Sequence, residues 1–176
     1  GDIDGASKLY DSILEDQAIK GNAGNENHFK KQKSDLSKLG KPFNHISSTD
    51  LEGNELKTAD LKGKVVLVDF WAVWCGPCVR EIPHLREMYA EYKDKGFEIV
   101  SVSTNNRQTI DKVKEYVGSN NMPWKHTFDA DGSICQAHQI QSFPTMILIG
   151  PDGNIVSFNA RGPNLTRALK ILLGNK

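Results

Sequence analysis

Val65-Val66-Leu67-Val68-Asp69-Phe70-Trp71 is a run of seven residues, apolar but for one carboxylate. So short a run, rich in β-branched side chains, reads as a strand buried on both faces. Phe97 to Ser103 and Thr145 to Ile149 read as two more strands. Between them the period changes. Val79 to Lys93 reads as a helix interrupted at Pro83, which lacks a donor and crowds the preceding turn. A second helix over 107–118 carries Ile110, Val113 and Val117 on one face. Trp124 to Phe128 reads as a short strand and Ser133 to His138 as a short helix. Pro151-Asp152-Gly153-Asn154 is a hairpin turn, with Ile155 to Asn159 returning and Leu165 to Leu173 as a closing helix. Upstream, Phe43 to Ser47 and Glu55 to Lys57 are short strands around a turn at Leu51-Glu52-Gly53-Asn54. Strand–helix–strand, then hairpin and helix, predicts an α/β fold with a sheet of mixed direction.

Residues 1–40 read differently from 41–176. Leu9, Ile13, Leu14 and Ala18 fall at helical spacing, and Gly21-Asn22-Ala23-Gly24-Asn25 ends that pattern. Asn27 to Leu39 forms a second helical stretch, rich in Lys. The segment reads as a helical extension or linker ahead of one domain, which a length of 176 residues accommodates. Lys plus Arg and Asp plus Glu both number 22, so the balance predicts neither nucleic acid nor an anionic membrane as partner. No apolar run approaches the ~20 residues of a membrane span. Gly1-Asp2-Ile3-Asp4 reads as a trimmed start, with a leader or membrane anchor removed ahead of it.

The chemistry concentrates in Trp74-Cys75-Gly76-Pro77-Cys78, which holds two of the three cysteines. Cysteines two residues apart can close a small disulfide or open to a dithiol, and Pro77 restricts the backbone between them. The order strand, cysteines, helix puts Cys75 at a helix N-terminus, where free N–H groups favour an anion. A thiolate is such an anion, and its pKa there falls from ~8.5 into the range ~3.5–7.5. Two other readings stay open: a structural disulfide, or half of a zinc site completed by Cys135 and His138. Against zinc, 56 residues intervene between the two pairs, where compact modules use ~15–20. The pattern thus points to thiol–disulfide exchange with no cofactor and no metal. Asp69 is the one polar residue of its strand. Burial would oblige it to be paired or protonated; the alternative is a strand-end aspartate facing solvent.

Asp69-Phe70-Trp71-Ala72-Val73-Trp74-Cys75-Gly76-Pro77-Cys78 closely resembles the active-site run of thioredoxins. Pro83 matches that family's helix proline, and Ser142-Phe143-Pro144-Thr145 resembles its cis-proline loop. The strands before residue 64, the insert ahead of Pro144 and the Pro-Asp-Gly hairpin look like the extracytoplasmic TlpA-like branch, which overlaps the redoxins. The resemblance covers residues 41–176. It implies a thioredoxin-like fold with a mixed central sheet flanked by helices, extra N-terminal strands and the helical extension outside it.

The resemblance also implies roles. Cys75, the more exposed sulfur, attacks a substrate disulfide, and Cys78 resolves the mixed disulfide. Asp69 accepts the Cys78 proton through water. Pro144 is cis and turns the backbone of Phe143 toward an extended substrate. Trp74, with Gly76 and Pro77, forms the rim, and Trp71 packs beneath it or in the core. Partners are disulfide-containing or dithiol proteins and a redox partner that recharges the pair, outside the cytoplasm. Cys135 reads as a half-buried core thiol and Glu81 as part of a solvated helix face. The chain departs from its relatives in two places. Residues 97–103 lack the lysine that small thioredoxins carry near the buried acid, and Asn106 stands where cytochrome-maturation members are acidic. A thiol peroxidase would want a hydroxyl residue and a proline where Ala72 and Val68 stand. A binding module without catalysis would not need the cysteine pair.

Overall fold

The structure, a computed structural model, describes residues 3–15, 20, 22–104 and 109–174, without the side chains of residues 3–6 and 10. Ala18, Gly21 and the stretch around Asn106 lie outside the described residues. The chain divides into two compact units, Gly1–Lys41 and Pro42–Lys176.

The first unit holds two helices, α1 (Ile3–Glu15) and α2 (Ala23–Lys38). The second of these starts four residues earlier than the sequence pattern predicts. Asn22 is its N-cap, and its side chain accepts the Asn25 N–H at 3.2 Å. A capping asparagine satisfies an N–H of the first turn, which offsets the entropic cost of Gly24 just inside the helix. Ion pairs join Lys33 to Asp11 and Lys31 to Asp35.

The second unit is built on a five-stranded sheet. Its strands are β3 (Val65–Trp71), β4 (Phe97–Thr104), β5 (Lys125–Asp129), β6 (Thr145–Ile149) and β7 (Ile155–Phe158). They lie in the order β5-β4-β3-β6-β7, with β3, β4 and β5 parallel and β6 and β7 antiparallel to their neighbours. All seven residues of β3 are buried, as the apolar run predicts. A separate hairpin pairs β1 (Ser47–Thr49) with β2 (Glu55–Lys57). The first strand thus lies downstream of the expected 43–47. Phe43 and Ile46 are both buried, and a spacing of three cannot fall on one face of a strand. Phe43 instead donates its N–H to the Gly153 carbonyl at 3.0 Å.

Helix α3 (Gly76–Tyr92) follows β3, α4 (Ile110–Ser119) follows β4, and α5 (Ser133–Ala137) follows β5; α6 (Pro163–Leu173) closes the chain. The α3 helix runs through Pro83 without a break. Val65, Leu67 and Trp71 form one core with Ile82 and Leu85 of α3, Val113 of α4 and Leu165 and Leu169 of α6. On α4 only Val113 is buried; Ile110 is exposed. On the other sheet face, Phe70 meets His138, whose ring stacks on Phe43 at 4.9 Å. These layers put the end of β3 and the start of α3 at the C-terminal edge of the parallel strands, where open α/β sheets place their sites.

Candidate active site

The chain leaves β3 at Trp71, and Cys75 folds back to donate its N–H to the Ala72 carbonyl at 3.0 Å. Cys75 is the N-cap of α3: its sulfur accepts the Cys78 N–H at 3.3 Å, and its carbonyl accepts from Val79 at 3.0 Å. The helix begins at Gly76, three residues before the expected Val79, because Pro77 occupies the first turn, where a missing N–H costs nothing. Cys75 and Cys78 are joined by a disulfide. Both are buried, Cys75 at 5% exposure and Cys78 at 2%. The first turn of a 17-residue helix thus gives its Cys78 N–H to Cys75 Sγ, an arrangement that stabilises a thiolate there when the bond opens.

Around the disulfide, Gly76 and Pro77 are exposed and Trp74 is the large exposed apolar side chain next to it. The Trp74 ring meets Phe143 edge-on, with centroids 6.0 Å apart. The Phe143–Pro144 peptide bond is cis. Trp71 is 1% exposed and packs in the same core as both cysteines, its ring 5.7 Å from that of Tyr116.

Asp69 is buried, not a solvent-facing strand end. Strand alternation puts it on the face shared by Leu67 and Trp71, the face that α3 covers. Its Oδ2 accepts the Ser101 hydroxyl hydrogen at 3.2 Å, and its Oδ1 has no hydrogen-bond partner among the described residues. Burial pushes its pKa up to about 7; the Ser101 hydrogen bond opposes that rise and the Glu81 charge adds to it.

Glu81 is not on a solvated face, as the helical pattern suggested. It is half-buried, accepts the Gly162 N–H at 3.2 Å and lies 3.9 Å from His84 Nδ1. Helical periodicity along α3 gives no sign of this, because the partner comes from the loop before α6. Sequence reasoning also missed Ser101 and Trp124. Ser101 is the register partner of Asp69 across β3 and β4, and Trp124 Nε1 donates to its Oγ at 2.8 Å. The signal was present as a serine at an inward position of a buried strand.

The described residues do not bring Cys135 and His138 to the cysteine pair as ligands. Cys135 is half-buried; burial and the neighbouring Asp129 carboxylate push its thiol up to about 12. His138 lies between Phe43 and Phe70. Among the described residues no three His, Cys, Asp or Glu side chains gather where they could hold a metal.

The sequence profile of the Redoxin family matches residues 38–170. The chain belongs to the Redoxin family. The thiol–disulfide oxidoreductase ResA of Bacillus thuringiensis subsp. konkukian is 34% identical over 124 residues, 70% of each chain. ResA of Bacillus subtilis is 33% identical over 107 residues, 61% of this chain and 59% of that one. The crystal structure of the thioredoxin domain of a thiol–disulfide oxidoreductase from Bacteroides vulgatus superposes with a TM-score of 0.70 at 33% identity, covering 77% of this chain and 97% of that one. A thiol:disulfide interchange protein from Bacteroides sp., solved in solution, gives 0.70 at 32% identity over 77% and 90%. Within the family the chain is a thioredoxin-like thiol–disulfide oxidoreductase related to ResA.

Proposed function

We propose that this chain reduces disulfides in other proteins through a dithiol–disulfide cycle of Cys75 and Cys78. The observation that carries the reading is the cysteine pair capping α3, with Cys75 as N-cap and the less buried of the two residues. In the reduced state the Cys75 thiolate attacks one sulfur of a substrate disulfide and releases the other as a thiolate. Cys78, deprotonated by Asp69, then attacks Cys75 Sγ and releases the second substrate sulfur. The chain loses two electrons and the substrate gains them. A carboxyl with a pKa near 7 suits that proton transfer at neutral pH. Trp74, Gly76 and Pro77 form the rim a substrate meets, and the Phe143-Pro144 segment offers its backbone to an extended chain.

The substrates are folded or unfolded proteins bearing disulfides, and a separate redox partner returns the electrons. By its resemblance to the extracytoplasmic TlpA-like branch, the chain works outside the cytoplasm. No helix among the described residues is long and apolar enough to cross a membrane.

The test is the equilibrium reduction potential of the pair in dithiothreitol buffers, with Cys135→Ser to silence the third thiol. A reductase is expected near the thioredoxin value of about −270 mV, and a value near about −120 mV would make the chain a disulfide donor instead. Cys75→Ser is expected to abolish protein-disulfide reduction, whereas Cys78→Ser is expected to trap the mixed disulfide. Undiminished turnover in Cys75→Ser would overturn the cycle.

A further inference from the structure

Three buried polar groups line up across neighbouring strands on the face that α3 covers. Asp69 is on β3, Ser101 is its register partner on β4, and Trp124 immediately precedes β5. Trp124 Nε1 lies 2.8 Å from Ser101 Oγ, and Ser101 Oγ lies 3.2 Å from Asp69 Oδ2. An indole N–H only donates. Ser101 Oγ must therefore accept from Trp124 and send its own hydrogen to Asp69. A hydroxyl that already accepts a bond is the stronger donor for doing so. Oδ2 is thus an acceptor whether or not Asp69 is ionised. The proton of the neutral acid sits on Oδ1, the oxygen without a hydrogen-bond partner.

We infer that Trp124 and Ser101 form a directional hydrogen-bond chain that commits Asp69 to exchange its proton through Oδ1. The inference rests on the reading of Asp69 as proton acceptor in the dithiol cycle. In this role both residues are positioning residues, acting through Asp69. The other groups acting on Asp69 are the Glu81 charge from α3 and the apolar Met146 opposite it on β6. His126 on β5 stacks on the Trp124 ring with centroids 5.7 Å apart, and is the titratable neighbour at the far end of the chain.

The test uses the full chain with its disulfide closed, so that neither Cys75 nor Cys78 titrates. The Asp69 carboxyl carbon and the Trp124 indole N–H are monitored by NMR against pH. The indole signal is expected to move with the Asp69 midpoint. Asp69→Asn is expected to remove that movement and leave only the smaller shift caused by His126 titration. Ser101→Ala removes a bond to the charged form and is expected to raise the Asp69 midpoint by about one pH unit, a tenfold change. Trp124→Phe keeps a ring in place and is expected to raise it by less, while Ser101→Thr restores the hydroxyl and returns the midpoint toward the parent's. An indole signal indifferent to Asp69, or an unmoved midpoint in Ser101→Ala or in Trp124→Phe, overturns the chain. If Ser101→Ala does not fold, by near-ultraviolet circular dichroism, Trp124→Phe decides alone. Should the midpoints move as stated while Asp69→Asn keeps full turnover, the hydrogen-bond chain stands and the proton-acceptor reading falls.

Discussion

Asp69 and Asp129 lie toward the ends of two parallel strands of one sheet, and both are buried. Their surroundings differ. Asp129 Oδ1 accepts the Ile134 N–H at 3.0 Å and Oδ2 accepts the Cys135 N–H at 2.9 Å. Both of its oxygens are engaged by the first turn of α5. Asp69 has one donor, and its second oxygen is bare. Glu98, a third buried carboxylate, on β4, differs from both: its Oε1 accepts from the Tyr89 hydroxyl and the Ile99 N–H, both at 3.1 Å, and its Oε2 lies 3.9 Å from Lys64 Nζ. Burial therefore does not single out the proposed proton acceptor in this sheet. A single neutral donor with no cation beside it does, because a buried carboxylate so short of partners holds a proton near neutrality and can exchange it.

Exchanging each carboxylate for an amide separates the two most sharply. Asp69→Asn cannot accept a proton from Cys78 and is expected to slow protein-disulfide reduction by about 10²-fold, the low end for a lost acid–base group. Asp129→Asn places an amide NH₂ against an N–H. It is expected to destabilise the fold by about 1–3 kcal/mol, the cost of an unsatisfied buried donor, with turnover per folded molecule unchanged. Paired measurements of kcat/KM and of the urea midpoint check both arms. A large activity loss in Asp129→Asn, or none in Asp69→Asn, breaks the comparison.

The pH dependence of stability sharpens it further, with an effect of about 1.4 kcal/mol per pH unit for each proton. Asp69 titrates near 7 when folded against about 3.9 unfolded, so between these values the native state holds a proton that the unfolded state lacks. Stability from this group falls as pH rises through that window. His126 has the opposite sign. Burial pushes it down to about 4 against about 6.5 unfolded, so its contribution rises with pH over 4 to 6.5. Asp50, Asp131 and Asp152 are held below their ordinary range by turn hydrogen bonds, so their stabilisation is fully present across this window and is lost only at more acid pH. The native chain is expected to be nearly flat over pH 4.5 to 6.5, and Asp69→Asn to gain stability with pH across it. Urea unfolding of the disulfide form at three pH values checks this; parallel profiles for the two chains would refute it.

Much of this was legible in the sequence, for physical reasons that differ by residue. The apolar run 65–71 could only be a strand buried on both faces, and the cysteines after it had to fall at a helix N-terminus. Pro77 hid the true start of α3, because a proline reads as a break although it fits the first turn of a helix. Ile110 fell on the apolar face of α4 yet stays exposed, since periodicity gives a direction and not the reach of the neighbouring layer. Ser101 and Trp124 were missed for another reason. Their importance comes from strand register, which sets Ser101 beside Asp69 and brings Trp124 to it from the residue just before β5. No local pattern encodes such a pairing, although an inward serine in a strand of Ile and Val marks a place where a polar partner is required.

The smallest effect tests whether Asp69 is tuned from the helix as well as from the sheet. Glu81 lies on α3, half-buried, and its negative charge disfavours a second negative charge on Asp69. Glu81→Gln removes that charge and keeps a side-chain carbonyl to accept the Gly162 N–H, so the loop before α6 has no reason to move. The Asp69 midpoint is expected to fall by less than one pH unit, because water screens a partner that is itself part exposed. The direction matters more than the size. Loss of the Ser101 hydrogen bond moves the midpoint up and loss of the Glu81 charge moves it down, so the double variant should fall between the two. A midpoint that rises in Glu81→Gln would mean that Glu81 acts through the position of α3 and not through its charge. Carboxyl-carbon NMR of the disulfide form resolves the two cases.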